Sequence, residues 1–294
     1  MNLNGFTEGH RLTVFTQRPA PIQVGYLGYA GTMGTNCIDY IVADKTVIPD
    51  DQFAFYSEKV VWLPDAFMVN DNQRRIGERT LTRSECGLPE TGFVFCCFNN
   101  MFKITPPVFQ VWMRLLKATE GSVAWFSSAN EPTRVNLRAE AARAGVDPDR
   151  LIFAPRLDRV EEHLSRHRAA DLFLDTLPYN AHTTAADALW AGLPVLTCAG
   201  DTFPARVAGS LLHAIGLPEL VTPTLHDYEA MALQLARDPA RLAEIKAKLA
   251  RNCGTYPLFD TARFTRHLEA AYASMVERHR RGEPPAPFAV KPIS

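Results

Sequence analysis

The sequence predicts an α/β fold with a doubly wound parallel sheet. From Phe93 onward, short runs of apolar, β-branched or aromatic residues alternate with longer segments whose apolar residues recur every three or four positions. Pro106 and Pro107 favour the first turn of a helix, whereas Gly145 and Gly192 favour a left-handed helix end. Six such strand–helix units make one domain of ordinary size.

The predicted strands are short, and the spacing between them leaves room for crossover helices. They cover residues 93–98 (FVFCCF), 122–126 (SVAWF), 151–154 (LIFA), 171–174 (DLFL) and 194–197 (PVLT), with a sixth at 219–221. The predicted helices between them cover residues 107–118, 132–144, 160–167, 183–191 and 204–215, and two more cover 239–252 and 260–280. This regular alternation indicates one doubly wound domain.

The first part of the chain has a different pattern. It offers candidate strands at residues 24–29 and 37–43, followed by an irregular stretch at 50–83. We therefore expect residues 1–85 to be a remnant of a preceding lobe plus a linker, and residues 86–280 to form one complete lobe. Residues 281–294 are rich in proline and are expected to form a mobile tail.

Composition argues against several classes of partner. Thirty-one Lys and Arg residues against 32 Asp and Glu residues leave a formal net charge of −1, so no overall field attracts nucleic acid or acidic membranes. The six cysteines show no CxxC spacing, which favours reduced thiols over disulfides. No signal peptide is evident, and no stretch approaches the roughly 20 apolar residues of a membrane helix. We expect a cytoplasmic protein.

Three loops that follow predicted strands carry unusual sets of polar residues. They lie at residues 99–103, 155–159 and 175–184. In an open parallel sheet, ligands bind beyond the carboxyl ends of the strands, so these loops are expected to meet at one edge. The sequence therefore places a candidate binding site at that edge.

The loop at residues 175–184 is the most informative of the three. His182, Thr183 and Thr184 fall in the first turn of a predicted helix, whose free N–H groups and positive dipole end attract an anion such as phosphate. Asp187 projects from the same helix face, where its carboxylate can accept hydrogen bonds from ribose hydroxyls. The alternative is that Thr183 and Thr184 only cap the helix.

The other two loops offer a cation and a possible nucleobase contact. Lys103 lies just beyond a strand end, where its ammonium group would neutralise charge on a departing diphosphate. His163 and Arg166 are three residues apart on one helix face, and they suit a nucleobase edge and a phosphate or carboxylate respectively. Each side chain alone is also compatible with a solvated surface. Convergence of three such sets at one edge favours a site.

Familiar cofactor and metal motifs are missing from the sequence. It contains no GxGxxG, no GxxxxGK[ST], no nucleophile elbow and no His, Cys, Asp or Glu cluster with metal spacing. Asp147 and Asp149 flank a proline on the opposite edge of the sheet and are expected to form a turn. We therefore expect no metal and no cofactor apart from a nucleotide substrate.

Several longer motifs resemble those of one family. The most specific is HTTAADALWAGLPVLT at residues 182–197. Others are RPAPIQVGYLGYAGTMGTNCIDYIVAD (18–44), YSEKVVWLPDAF (56–67), FCCFNNMFKITP (95–106), LFLDTLPYNAHTT (172–184) and PARVAGSLL (204–212). Through them the chain, up to about residue 276, resembles the carboxyl-terminal lobe of the O-linked N-acetylglucosamine transferase family, which includes the SPINDLY-type fucosyltransferases.

The resemblance implies a GT-B architecture and a glycosyltransferase activity. In that architecture, donor and acceptor meet in the cleft between two Rossmann-like lobes, and the sugar passes to protein Ser or Thr by inverting, metal-independent transfer. Carried over by position, Asn100 and Lys103 contact the diphosphate of the donor, and Lys103 is the main catalytic stabiliser of the leaving group. His182, Thr183 and Thr184 bind the phosphates.

The resemblance also implies how the nucleoside is held. Leu157 offers backbone groups to the base, His163 packs beside it, Arg166 supports that region, and Asp187 binds the ribose. The stretch between Leu157 and His163 is one residue longer than the family pattern, which leaves the counterpart of one base contact open. The expected donor is UDP-N-acetylglucosamine, with GDP-fucose and UDP-glucose as alternatives.

The matched region begins near the end of the family's amino-terminal catalytic lobe. It leaves out the acceptor-side histidine segments and the tetratricopeptide repeats, so we expect a truncated form whose partners are a nucleoside diphosphate sugar, a protein acceptor and the missing lobe. The alternatives are a non-catalytic nucleotide-binding module and a different GT-B enzyme acting on a small molecule or a glycan.

Overall fold

The main feature of the fold is a parallel sheet in the second part of the chain. The computed structural model describes residues 1–79 and 81–293. Within them, six strands follow the order β6-β5-β4-β7-β8-β9. They are β4 (Val94–Cys97), β5 (Val123–Phe126), β6 (Leu151–Phe153), β7 (Leu172–Leu174), β8 (Val195–Cys198) and β9 (Val221–Thr222). All five pairings are parallel, which confirms the predicted doubly wound sheet.

The strand order fixes where a ligand can bind. The chain first builds outward from β4 to β6 and then crosses back to place β7 on the other side of β4. Crossover helices leave the sheet in opposite directions at this point, so a crevice opens beyond the carboxyl ends of β4 and β7. The loops after these two strands are two of the three that the sequence singles out.

The helices lie close to their predicted positions. Those between the strands are α2 (Pro106–Ala118), α3 (Glu131–Arg143), α4 (Val160–Arg166), α5 (Thr183–Trp190) and α6 (Val207–Ala214), and α8 (Pro239–Asn252) and α9 (Thr261–Arg280) follow. The prediction missed α7 (Leu225–Arg237), which packs against α2 and β8. Its Tyr228 is fully buried, and the polar hydroxyl is satisfied there. The hydroxyl accepts a hydrogen bond from Trp112 at 3.2 Å and donates one to the Asp175 carbonyl at 3.0 Å.

A second parallel sheet comes mostly from the first part of the chain. It has the order β1-β2-β3-β10, with β1 (Val24–Gly25), β2 (Tyr40–Asp44), β3 (Lys59–Leu63) and β10 (Phe288–Ala289). A short helix, α1 (Leu12–Thr16), precedes it. The expectation of an irregular stretch at 50–83 is wrong for β3, because Val60, Val61 and Trp62 form a buried run between β2 and β10.

The prediction of a mobile tail is also wrong for residues 288–293, whereas Ser294 lies outside the described residues. Phe288 and Ala289 pair with Val61 and Trp62 of β3, and the Ile293 amide donates to His267 Nε2 at 2.9 Å. Helix α9 packs on the same sheet, where Ala271 and Met275 join a small apolar cluster. Burial of these apolar side chains offsets the loss of chain entropy that a free tail would keep.

A shared core joins the two sheets. Asp44, fully buried at the end of β2, accepts hydrogen bonds from the Ser210 hydroxyl at 2.6 Å and the Phe67 amide at 2.8 Å. The Phe67 ring meets that of Phe203 edge to face, with centroids 4.9 Å apart. The segment after β3 is therefore held against the main sheet. No helix in residues 1–79 or 81–293 is long and apolar enough to cross a membrane.

Candidate functional site

The loop that follows β7 is built around one buried carboxylate. Asp175 Oδ1 accepts from the amides of Thr176 at 2.7 Å and Ala181 at 2.6 Å, and from Asn99 Nδ2 at 3.2 Å. Its Oδ2 accepts from the Thr197 hydroxyl at 2.6 Å. These bonds fold residues 175–181 around the carboxylate and set the position at which α5 begins.

Asn99 links this loop to the end of β4. Its Nδ2 also donates to the Thr176 hydroxyl at 2.8 Å, and its Oδ1 accepts from the Thr184 hydroxyl. The Thr184 side chain is therefore already engaged within the protein. Thr183, one residue earlier, is exposed at the start of α5. The first amides of an α-helix have no acceptor within the helix, so they can serve a ligand.

Lys103 lies over the same loop. It ends a short 3₁₀ turn, Met101–Lys103, which follows the exposed Asn100. Its Nζ donates to the Asn180 carbonyl at 2.9 Å and lies 4.2 Å from the centre of the Tyr179 ring. Burial lowers the pKa of Lys103, while the Asp175 carboxylate opposes that shift. A partly desolvated ammonium group is therefore fixed beside the start of α5.

His182 is neutral and close to Lys103. Burial is the larger cause and the nearby Lys103 charge is the smaller one, and together they lower the pKa of His182 to about 3. The His182 ring stacks on Tyr179, with centroids 4.9 Å apart and planes 25° apart. Its Nε2 is buried and has no hydrogen-bond partner within the described part of the chain. A neutral imidazole nitrogen with no partner is a group that a ligand can satisfy.

Helices α4 and α5 bring the remaining predicted residues together. His163 Nε2 on α4 lies 3.8 Å from Asp187 Oδ2 on α5. Burial and the nearby Arg166 charge lower the pKa of His163. Asp187 is also paired with Arg74, which comes from the segment after β3. Leu157 is half-buried in the loop between β6 and α4.

The Arg166 side chain faces the protein interior and contacts the His163 ring. Its guanidinium donates to the Pro155 carbonyl at 2.8 Å and contacts His163 Nδ1 at 2.7 Å. Its Cζ lies 4.4 Å from the centre of the Phe98 ring. Because an arginine only donates hydrogen bonds, His163 Nδ1 is the acceptor, and the proton of the neutral ring is on Nε2. Nε2–H therefore faces Asp187 and the site.

A cavity of about 350 Å³ adjoins the start of α5. Its walls come from both parts of the chain, and among the lining residues are Leu27, Asn70, Arg74, His182 and Thr183. The volume is within the ordinary range of small-molecule sites. Within residues 1–79 and 81–293, no three His, Cys, Asp or Glu side chains form a group that could hold a metal ion.

The site contains residues that the sequence analysis did not assign. Asn99 and Asp175 are buried polar residues at the ends of apolar strands, a signal that was available in the sequence. Tyr179 lies three residues before His182, the first of the predicted phosphate-binding residues, but nothing in the sequence pattern indicated that it lies under Lys103. Arg74 is 113 residues from its partner Asp187, so only the folded chain brings them together.

The Asp175 carboxyl group predicts a specific dependence of stability on pH. Burial raises the pKa of Asp175 from 3.8 to about 6. The folded state therefore holds this proton more tightly than the unfolded chain does. The resulting stabilisation is complete below the unfolded pKa and is lost as the pH rises through the folded pKa. The difference corresponds to about 3 kcal/mol.

Denaturant titrations between about pH 4 and pH 7 measure this effect. We expect the free energy of unfolding of the wild type, minus that of D175N, to fall as the pH rises through this range. The amide does not titrate, so subtraction removes the contributions of other groups. A difference that stays constant with pH would contradict the raised pKa.

Comparison with known proteins gives one consistent family. The family model for glycosyl transferase family 41 matches residues 1–79 and 77–268. The chain is 40% identical, over 99% of its length, to the probable UDP-N-acetylglucosamine–peptide N-acetylglucosaminyltransferase SEC of Arabidopsis thaliana, of which it covers 30%. It is 34% identical over 97% of its length to the probable UDP-N-acetylglucosamine–peptide N-acetylglucosaminyltransferase SPINDLY of Oryza sativa subsp. japonica, of which it covers 31%.

A solved structure shows the same arrangement of the chain. A mutant O-GlcNAc transferase of Thermobaculum terrenum superposes with a TM-score of 0.85 at 32% sequence identity. The match covers 93% of this chain and 52% of that protein. The chain thus spans about a third of the length of the curated relatives that it matches, and about half of the solved structure.

Proposed function

Because this chain belongs to glycosyl transferase family 41, we propose that it forms the donor-binding part of a protein O-glycosyltransferase. The proposed donor is UDP-N-acetylglucosamine, the sugar nucleotide in the names of its relatives from Arabidopsis thaliana and Oryza sativa. The proposed acceptor is a Ser or Thr hydroxyl of a protein. Donor and acceptor are those expected from the sequence, and we now assign the donor to the site described above.

One observation carries most of this proposal. A partly desolvated lysine, Lys103, lies beside the start of α5, and His182 presents an unpartnered nitrogen at the same place. A diphosphate placed here would receive positive charge from Lys103 and N–H groups from the helix start. These groups need no rearrangement during reaction, which is the condition under which they stabilise a transition state best.

The proposed reaction is a single displacement. The acceptor hydroxyl releases its proton to solvent as its oxygen forms a bond to the anomeric carbon of the sugar, while the bond from that carbon to the diphosphate oxygen breaks. The bonding electrons remain with the departing diphosphate, and the ammonium group of Lys103 stabilises the negative charge that develops there. Attack on the face opposite the leaving group inverts the anomeric configuration. Transfer without a metal is part of this proposal, with Lys103 and the helix start as the source of positive charge.

We assign the nucleoside to the groove between α4 and α5. His163 presents Nε2–H, which suits a carbonyl acceptor on a pyrimidine base, and Leu157 lies in the loop nearby. The Asp187 carboxylate accepts hydrogen bonds from the ribose hydroxyls. Arg166 acts only through His163, because its own donors point into the protein.

The division of the chain follows from the same proposal. We assign residues 1–85 to the end of a preceding lobe plus the linker, and residues 86–280 to the donor-binding lobe. The separate sheet of β1, β2 and β3 supports this division. Residues 281–294 form the tail, although β10 and α9 return to the first sheet.

The cysteines support the proposed cytoplasmic location. All six are free thiols, and four of them are buried. Burial raises the pKa of Cys97 to about 12 and that of Cys253 to about 11, so both are poor nucleophiles at neutral pH. Unpaired, unreactive thiols are typical of proteins in a reducing compartment.

Calorimetric titration with UDP and GDP tests the proposed donor site. We expect UDP to bind and to stabilise the fold by about 2.7 kcal/mol at a concentration 100 times its Kd, since only the folded chain has the site. Thermal unfolding with and without nucleotide provides the second readout. Tighter binding of GDP would move the proposal to a GDP-sugar donor, and absence of binding by both nucleotides would refute it.

A further inference from the structure

The segment that follows β3 crosses both helices that hold the proposed nucleoside. The Gly77 amide donates to the Glu161 carbonyl on α4 at 3.0 Å, and a Cβ added at Gly77 would lie 3.1 Å from the same oxygen. The Arg74 carbonyl accepts from Trp190 Nε1 on α5 at 3.0 Å. This segment is therefore hydrogen-bonded to both α4 and α5.

Helix α5 holds Arg74 at two points. Trp190 binds its backbone, and Asp187, one turn earlier on the same helix face, binds its guanidinium. The Asp187 side chain is 12% exposed and that of Arg74 is 22% exposed, so the pair is largely withdrawn from water. Among the described residues, Arg74 is the only arginine or lysine paired with Asp187.

The pair leaves one carboxylate oxygen available. Arg74 occupies Asp187 Oδ1, while Oδ2 lies 3.8 Å from His163 Nε2, too far for a hydrogen bond. A charged partner on one oxygen limits rotation of the carboxylate, so the direction of the other oxygen is set. Without Arg74, a buried carboxylate would lose its compensating charge and turn toward other donors.

We propose that Arg74 is a positioning residue that orients Asp187 so that Oδ2 accepts from the ribose hydroxyls of the bound nucleotide. This inference rests on the proposed function, because it assumes a nucleotide in the groove. It adds a residue from outside the donor-binding lobe to the machinery that recognises the ribose. It also predicts that selection for a ribose over a deoxyribose depends on Arg74.

A comparison of two nucleotides in four proteins tests the inference. Calorimetry measures the Kd of UDP and of 2′,3′-dideoxyuridine diphosphate for the wild type, R74M, R74K and R75M. R75M is the matched control, because this substitution removes the same charge from an exposed position. Circular dichroism establishes that each variant is folded.

We expect the wild type and R75M to prefer UDP by at least about tenfold, since hydroxyls bound to a carboxylate are lost in the dideoxy compound. In R74M the preference falls to about threefold or less, and R74K restores part of it. The ratio of two Kd values removes any general weakening of the fold, and R74K serves as the test if R74M does not fold.

Three outcomes overturn the inference, and only the last also overturns the proposed function. If the wild type prefers UDP and R74M keeps the same preference, Arg74 does not orient Asp187 while the proposed donor site stands. Tighter binding of UDP to R74M has the same meaning, because Arg74 would then only block Asp187. If the wild type binds neither nucleotide, the proposed function fails and the inference fails with it.

Discussion

Replacement of Lys103 by methionine is expected to lower the rate of sugar transfer by about 10²–10³-fold. Methionine keeps the length of the side chain but removes the ammonium group beside the start of α5. Charge on the diphosphate is greatest as the bond to the sugar breaks, so the loss falls more on the transition state than on the bound donor. We therefore expect a much smaller change in the Kd of UDP than in the transfer rate.

The assay uses a longer chain that also includes the proposed preceding lobe. It measures transfer from UDP-N-acetylglucosamine to a Ser- or Thr-containing peptide, next to calorimetry with UDP. K59M is the matched control, because Lys59 is exposed on β3 and lies away from the loop after β7. Unchanged transfer by K103M would exclude the assigned role. Equal losses in transfer and in UDP affinity would indicate uniform binding instead of leaving-group stabilisation.

Replacement of Asp175 by alanine is expected to destabilise the fold by about 3–5 kcal/mol, which is a large part of the stability of an ordinary domain. The alanine leaves two backbone amides and the Thr197 hydroxyl without their acceptor in a buried place, while Asn99 Nδ2 keeps only its bond to the Thr176 hydroxyl. Each unsatisfied donor costs about 1–3 kcal/mol, and partial rearrangement of the loop reduces the sum.

Chemical denaturation at neutral pH measures this loss. D201A is a suitable control, because Asp201 is exposed and its replacement is expected to change stability by about 0.5 kcal/mol or less. D175N should be less harmful than D175A, since its amide oxygen can still accept from the loop amides. If D175A is as stable as the wild type, the carboxylate does not organise the loop.

The sequence was sufficient for the main sheet and most of its helices, and the physical reason is local. The four central strands of the sheet, β4, β5, β7 and β8, are continuous buried runs, and most of the following helices, such as α2, show an apolar residue every three or four positions. The loops at the carboxyl ends could then be placed together from topology alone. Lys103, His182 and Thr183 lie at one edge for this reason.

Contacts between residues that are far apart in the chain could not be predicted from the sequence. Strand β10 has only two residues, and its pairing with β3 is visible only in the fold. The contact of Arg74 with Asp187 and the position of Tyr179 beneath Lys103 depend on how the loops pack. Asp175 was read as part of a polar loop, because no pattern shows that four donors converge on it.

The return of β10 to the first sheet has a consequence for synthesis on the ribosome. The register places Phe288 beside Val61, more than two hundred residues apart. Strand β3 emerges long before β10, so the edge of β3 gains its partner only when residues 288–289 appear. Closing so long a loop is slow. We expect the sheet that contains β3 to be completed only after the main sheet has been synthesised, with the edge of β3 exposed until Phe288 and Ala289 emerge.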